Sequence, residues 1–176
     1  MQSTFIITFI GDDRPGLVEA LSRVVADHGG NWLESRSSQL AGKFAGLISV
    51  SLPSESGEAL QAALEDLHAE GISVRVTPCD AAVAQDDHQR IVTLTVIGPD
   101  RQGVVREISA ALSRRNINVV DMESFVSPAP MSSELLFHAQ VEAVLPEDCA
   151  LEELEENLDQ LADEMHMDIT LEAPAS

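Results

Sequence analysis

Two short loops of this chain carry residues that could bind a small charged molecule. Residues 11–17 are Gly-Asp-Asp-Arg-Pro-Gly-Leu, and residues 98–104 are Gly-Pro-Asp-Arg-Gln-Gly-Val. Each loop is expected to join a strand to a helix, whose first N–H groups are unpaired and carry the positive end of the helix dipole. A carboxylate fits such a helix start, and an aspartate beside it could receive an ammonium group. The pattern therefore suggests a pocket for an α-amino acid.

The charged side chains of the loops have more than one interpretation. Asp13 and Asp100 could accept an ammonium group, but either could instead cap the helix, and Pro15 could simply prepare the chain for helix entry. Arg14 and Arg101 are required neither by capping nor by glycine geometry. They could pair with an aspartate or bind a ligand carboxylate through two parallel hydrogen bonds.

Further polar candidates are two asparagines at the start of the strand that follows each helix. Asn31 and Asn118 offer both a donor and an acceptor to a ligand. Asn31 follows two glycines, so it could equally be present because Asn tolerates a left-handed turn. Within the loops, Gly16 and Gly103 would let a ligand approach the helix start closely.

The loops belong to a repeat with an offset of 87 residues, which runs without a gap to Ser37 and Ser124. Hydrophobic periodicity predicts the order β-α-β-β-α-β in each copy. The predicted strands are 4–10, 32–40, 44–52, 72–77, 91–97, 119–126, 135–145 and 167–171, and the predicted helices are those beginning near 17, at 56–69, at 104–115 and at 151–165. This order predicts an α+β class, with two ferredoxin-like domains at 1–79 and 90–173 and a linker at 80–89.

Composition restricts the function classes that are open to the chain. It has 30 acidic and 10 basic residues, a net charge of −20, so we expect no direct binding of nucleic acid, which needs Lys and Arg at the phosphates. Cys79 and Cys149 are isolated, as expected of a reducing compartment. We find no signal-peptide pattern at the start and no membrane-spanning apolar run, so the sequence predicts a cytoplasmic protein without membrane contact.

The motif Gly-x-Asp-Arg-Pro-Gly-Leu and its repeat, each between a first strand and a first helix, resemble the signature of ACT domains. These are small amino-acid-sensing regulatory modules. The resemblance covers nearly the whole chain, from Thr4 to about Leu171, so we expect no attached catalytic domain. A free-standing pair of such domains is similar to the glycine cleavage system transcriptional repressors.

The resemblance implies a function, a ligand site and partners. It implies a regulator, not an enzyme, with glycine or serine as the favoured ligand and no metal or cofactor. It also implies a protein partner, such as a DNA-binding activator, and a possible homodimer. Ligands in the family sit where one domain's loop meets a neighbouring domain. Carried over, the ligand-binding residues are Asp13, Arg14, Gly16, Leu17 and Asn31 in one half-site, and Asp100, Arg101, Gly103, Val104 and Asn118 in the other.

The two copies differ at positions that could make the half-sites unequal. Trp32 stands where the second copy has Val119, and we expect the indole to narrow the space that it faces. The hairpin turn 41–43 corresponds to a longer loop, 127–133, which is either a tolerated insertion or a contact surface. Residues 147–164 contain nine acids and no Lys or Arg, which predicts a solvated face or a docking surface for a basic partner.

Two other functions are compatible with the motifs. A ferredoxin-like hydrolase such as an acylphosphatase would use the loop at 101–106 for phosphate, although the acidic chain and Asp100 disfavour an anion of that charge. The five histidines show no metal-ligand spacing, and we expect His138 to be a packed side chain on a strand. The chain could also be a regulatory subunit of a metabolic enzyme, because formyltetrahydrofolate deformylases carry a similar loop.

Overall fold

The chain divides into two compact units, Met1–Gln85 and Asp86–Ser176, called here the N-terminal and the C-terminal unit. The computed structural model describes residues 2–79, 90–146 and 149–172. The predicted linker, 80–89, lies outside the described residues. The predicted domain limits therefore remain predictions.

The N-terminal unit follows the predicted order of elements. Its elements are β1 (Gln2–Asp12), α1 (Leu17–Asp27), β2 (Asn31–Leu40), β3 (Lys43–Pro53), α2 (Gly57–Glu65) and β4 (Ile72–Cys79). Short 3-10 turns precede and follow α2, at Ser54–Ser56 and Asp66–Glu70. The predicted helix 56–69 is thus α-helical only to Glu65, and its last turn is the tighter 3-10 form that is common at helix ends.

The C-terminal unit repeats this order. Its elements are β5 (Arg90–Pro99), α3 (Val104–Ser113), β6 (Asn118–Pro128), β7 (Leu135–Leu145), α4 (Leu151–Met165) and β8 (Asp168–Glu172). The strand β6 extends to Pro128, so it includes the first two residues of the predicted loop 127–133. Glu147 and Asp148, in the predicted acidic segment, lie outside the described residues.

Each unit contains one four-stranded antiparallel sheet. The strand order is β2-β3-β1-β4 in one sheet and β6-β7-β5-β8 in the other. The first and third strands of each unit are central, and the second and fourth are the edges. This topology confirms the predicted α+β, ferredoxin-like class.

Buried and more exposed residues alternate along the central strands, and the buried ones form one core in each unit. In β1, Phe5, Ile7 and Phe9 are buried against Leu21 of α1 and Leu64 of α2. Residues on the other side of the strand are more exposed, as the period of two along a strand requires. Each unit therefore fixes its own strand–helix loop on a rigid sheet and helix.

The C-terminal core is built in the same way. Val92, Leu94 and Val96 of β5 are buried together with Leu154 and Leu158 of α4. The apolar residues of α4 lie at helical spacing on one side, and its acidic residues are exposed on the other. Among the described residues, no helix combines the length and the apolar composition that crossing a membrane requires.

Candidate functional site

The two strand–helix loops have the same backbone conformation. Gly16 precedes α1 with φ 91° and ψ −5°, and Gly103 precedes α3 with φ 94° and ψ −4°. These are left-handed conformations that glycine adopts without steric cost. The carbonyl of each glycine accepts a helical N–H, from Ala20 at 2.9 Å and from Glu107 at 3.0 Å. Each helix start therefore has the same backbone geometry, set by Gly16 in the first loop and by Gly103 in the second.

The main chain of each loop is also tied to the neighbouring hairpin. The N–H of Asp13 donates to the carbonyl of Gly42 at 3.0 Å, and the N–H of Asp100 donates to the carbonyl of Leu135 at 2.9 Å. Both aspartates are exposed. The N-cap position of each helix is occupied by a glycine and not by the aspartate, so neither Asp13 nor Asp100 is the cap residue. Their carboxylates face solvent beside the helix start.

Arg14 links the first loop to the end of the Asp66–Glu70 turn. Its Nη2 donates to the backbone carbonyl of Glu70 at 2.9 Å and lies 3.7 Å from the carboxylate of the same residue. The Arg14 side chain is 44% exposed. One face of the guanidinium group is therefore held by the protein while much of the group stays accessible.

Arg101 has a different partner in the second loop. Its Nη1 and Nη2 donate to the two carboxylate oxygens of Glu107, at 2.9 and 2.7 Å. The hydrogen bond from Arg101 holds the pKa of the Glu107 carboxyl below its ordinary value, and the same bond raises the pKa of Arg101. Such charge-assisted pairs are stronger than neutral hydrogen bonds.

Asp12, at the end of β1, forms an ion pair next to the first loop. Lys43 Nζ donates to Asp12 Oδ1. This hydrogen bond, with the positive charge that accompanies it, lowers the pKa of the Asp12 carboxyl. The second unit has Pro99 and Leu136 at the paired positions, so the first loop has charges at its base that the second lacks.

Leu17 and Val104 contribute their backbone, and not their side chains, to the loop surface. Each side chain is 2% exposed and belongs to the core of its unit. Their N–H groups are the first of α1 and α3, where helical donors have no intrahelical partner. Any contact with a ligand would therefore be made by these N–H groups.

The asparagines are not close to the loop of their own unit. Asn31 pairs in register with Ser51 of β3, whereas Asp12, at the base of the loop, pairs with Lys43. Eight residues of β3 separate these positions, which corresponds to roughly 27 Å along a strand. Asn118 is displaced in the same way, since it pairs with Val144. The structure therefore brings Asp13, Arg14, Gly16 and the start of α1 together but leaves Asn31 at the opposite end of the sheet.

A family model for the ACT domain matches residues 3–77 and 90–172. The chain belongs to the ACT domain family. The matched segments fall in the two compact units, so each unit is an ACT domain, and the two loops described above are the strand–helix loops of the two domains.

Solved structures similar to this tandem ACT protein include an unknown protein from Galdieria sulphuraria. It is 28% identical, with a TM-score of 0.85, and the match covers 99% of this chain and 100% of that one. A second similar structure carries the provisional name of a glycine cleavage system transcriptional repressor. It is 21% identical, with a TM-score of 0.76, and the match covers 100% of this chain and 99% of that one. The sequence matches none of the curated proteins.

Trp32 does not border the first ACT loop. It pairs with Val50 of β3 and packs, partly buried, against the core of the N-terminal domain. The indole therefore does not face the loop of its own domain, and its effect on a ligand site stays a prediction. The two loops differ instead at residues that sequence reasoning missed, namely Glu70 and Glu107. The sequence signal that could have identified Glu107 is the repeat itself, in which Glu107 of the second copy aligns with Ala20 of the first.

A serine and a histidine meet on the exposed face of the second ACT sheet. Ser127 Oγ and His138 Nε2 are 3.0 Å apart, and the imidazole stacks on Phe125 with ring centroids 4.7 Å apart. Among the described residues, no carboxylate contacts the other ring nitrogen, so the pair lacks the third member of a hydrolase triad there. In the described part of the chain, no group of three His, Cys, Asp or Glu side chains is placed to hold a metal ion.

A cavity of about 460 Å³ opens beside the base of the second loop. It lies between the end of β5, the end of α4 and the start of β8, and it includes Gly98, Pro99 and His166 in its wall. None of the candidate ligand residues of that loop lines it. The cavity is therefore separate from the helix start where a ligand carboxylate is expected.

Proposed function

We propose that this ACT domain protein is an amino-acid-sensing regulator whose first strand–helix loop binds a small amino acid. The observation that carries the proposal is the arrangement at the start of α1. There, a left-handed glycine, an exposed aspartate and a half-exposed arginine surround the positive end of a helix. This combination supplies donors for a carboxylate and an acceptor for an ammonium group.

The proposed ligand lies with its carboxylate at the first N–H groups of α1. The guanidinium group of Arg14 adds a positive charge next to that position. The Asp13 carboxylate receives the ammonium group. A Cβ placed on Gly16 would have no atom within 4 Å apart from those of Gly16 and its two chain neighbours, so this glycine leaves open space over the helix start. Glycine and serine are the favoured ligands by resemblance to the family, and the glycines of the loop agree with a small ligand.

The regulated process is proposed to be glycine cleavage, through a protein partner that binds DNA. The similar structure named as a glycine cleavage system transcriptional repressor supports this direction. The net charge of −20 supports an indirect action, because phosphates repel an acidic protein. It also favours a partner with a basic surface. A homodimer is compatible with this function.

A regulatory subunit of a metabolic enzyme is the alternative that retains the same ligand site. The two proposals differ only in the partner. The hydrolase alternative is not favoured, because Arg101, which would bind the phosphate, is engaged by Glu107.

The test is a thermal-shift panel of the twenty amino acids, followed by calorimetry on every hit. A ligand at about one hundred times its dissociation constant adds roughly 2.7 kcal/mol of stability. We expect a selective shift with glycine or serine, lost in Asp13→Ala and weakened in Asp100→Ala. Asp27→Ala is the matched control, since it removes an exposed carboxylate at the far end of α1. Equal binding by the parent and both loop variants would reject the proposed site, and no shift with any amino acid would reject the function.

A further inference from the structure

The second ACT loop carries a carboxylate that the first loop lacks. Glu107 lies in the first turn of α3, and the residue at its repeat position in α1 is Ala20, which is buried in the core. The acidic residue in the first turn of α1 is Glu19. Its carboxylate pairs with Arg23, one turn along the same helix, at 3.5 Å. The first loop thus has no counterpart of Glu107.

The guanidinium groups of the two loops are occupied to different degrees. Both terminal nitrogens of Arg101 donate to the carboxylate of Glu107, which is the two-bond geometry by which arginine binds a free carboxylate. Arg14 donates one hydrogen bond to a backbone carbonyl, and the nearby Glu70 carboxylate is 3.7 Å away. A ligand must therefore displace two short hydrogen bonds to a carboxylate at Arg101, whereas at Arg14 it competes with one longer ion pair to Glu70.

Glu107 also borders the space over the second helix start. Its Oε1 lies 3.7 Å from the position that a side chain on Gly103 would take, whereas the corresponding position on Gly16 has no neighbour within 4 Å. A ligand carboxylate that approaches α3 would meet a negative charge at this point. The same approach to α1 is open.

We infer that the Glu107 carboxylate competes with the ligand carboxylate for Arg101. The two ACT loops then bind the ligand with unequal affinity, and the first loop binds it more tightly. The inference deepens the proposed function and rests on it for the identity of the ligand. An exposed ion pair changes an equilibrium by up to about fivefold. We therefore expect carboxylate binding at the second loop to be weaker by about that factor, because the backbone of the two loops is the same.

The experiment follows the amide resonances of Gly16 and Gly103 by NMR in the full chain. The probes are sodium acetate, which tests the carboxylate alone, and glycine, with sodium chloride at matched ionic strength as the blank. In the parent we expect the Gly16 amide to titrate with acetate at about one fifth of the concentration needed for Gly103. In Glu107→Ala the midpoint of Gly103 should fall toward that of Gly16.

Two further variants control for charge and for folding. Glu107→Gln removes the charge but keeps the size of the side chain, and it should bring the midpoints together as Glu107→Ala does. Glu156→Ala removes an exposed carboxylate of α4 in the same domain and should leave the parent pattern unchanged.

The outcomes separate the inference from the proposed function. Equal midpoints in the parent, a difference that persists in both Glu107 variants, or no acetate response at Gly16 would each overturn the inference. If the acetate pattern appears but glycine binds no more tightly than acetate, the inference stands and amino-acid sensing is rejected.

Discussion

Gly16→Ala tests whether the first ACT loop needs a left-handed residue at the helix start. Gly16 has φ +91°, and apart from Gly16 itself and its two chain neighbours no residue has an atom within 4 Å of the position of an added Cβ. The substitution therefore introduces backbone strain without a collision. A left-handed conformation costs an L-residue roughly 1–2 kcal/mol, and about 0.4–1 kcal/mol of this is offset because alanine lowers the entropy of the unfolded chain. We expect a net loss of about 1 kcal/mol in the free energy of unfolding.

The position of the single tryptophan makes this loss measurable in one domain. Trp32 packs against the core of the N-terminal domain, and the chain has no other tryptophan. Its fluorescence therefore follows the unfolding of the domain that contains Gly16. For a domain of this size, about 1 kcal/mol lowers the melting temperature by roughly 4–8 °C.

Gly16→Asn is the matched control, because asparagine tolerates the left-handed region better than alanine does. We expect Gly16→Asn to melt between Gly16→Ala and the parent. Gly103→Ala, with φ +94°, should cause a similar loss in the other domain, detected by circular dichroism. If Gly16→Ala is as stable as the parent, or if Gly16→Asn is no more stable than Gly16→Ala, the strain argument is refuted.

Two further predictions concern the second domain. Arg101→Gln should raise the pKa of the Glu107 carboxyl toward its ordinary value of 4.5, as measured by a carbon-13 NMR titration. Because the folded pKa lies below the unfolded one, the stability from this pair is present above the unfolded pKa and is lost as pH falls through the folded pKa. The parent should therefore lose more stability in acid than Arg101→Gln, and equal losses would contradict the assignment. Gly98→Ala would place a Cβ 2.6 Å from Met167 Cγ and 3.0 Å from its Cα, so we expect a loss of about 1–3 kcal/mol by thermal denaturation, and an unchanged melting temperature would show that Met167 moves aside freely.

The fold could be predicted because the repeat and the hydrophobic periods agree. The alternation of Phe5, Ile7 and Phe9 indicates a strand, and the stripe that contains Leu21 indicates a helix. The end of α2 was harder to predict. Leu60, Leu64 and Leu67 lie inward whether the last turn is α-helical or 3-10, so their spacing does not distinguish the two forms.

The candidate site could be predicted only in part. The loops were found because glycine, aspartate and arginine recur at the same spacing. The family resemblance assigns Asn31 to the same half-site as the first loop, but the helix between them has eleven residues and carries the chain roughly 16 Å away. The partner of each arginine could not be predicted, because the loop motif is the same and the difference lies in Glu70 and Glu107, outside it.

Different residues of the loops determine the backbone conformation and the charge at the helix start. The glycines set the backbone, since the conformations at Gly16 and Gly103 agree within a few degrees. The two loops share their backbone geometry but differ in charge over the helix start, because the second has Glu107 where the first has Ala20. Two identical backbones can therefore present unequal sites to a carboxylate. In this chain, the proposed difference between the two loops therefore arises from a residue of the first helical turn and not from the loop motif.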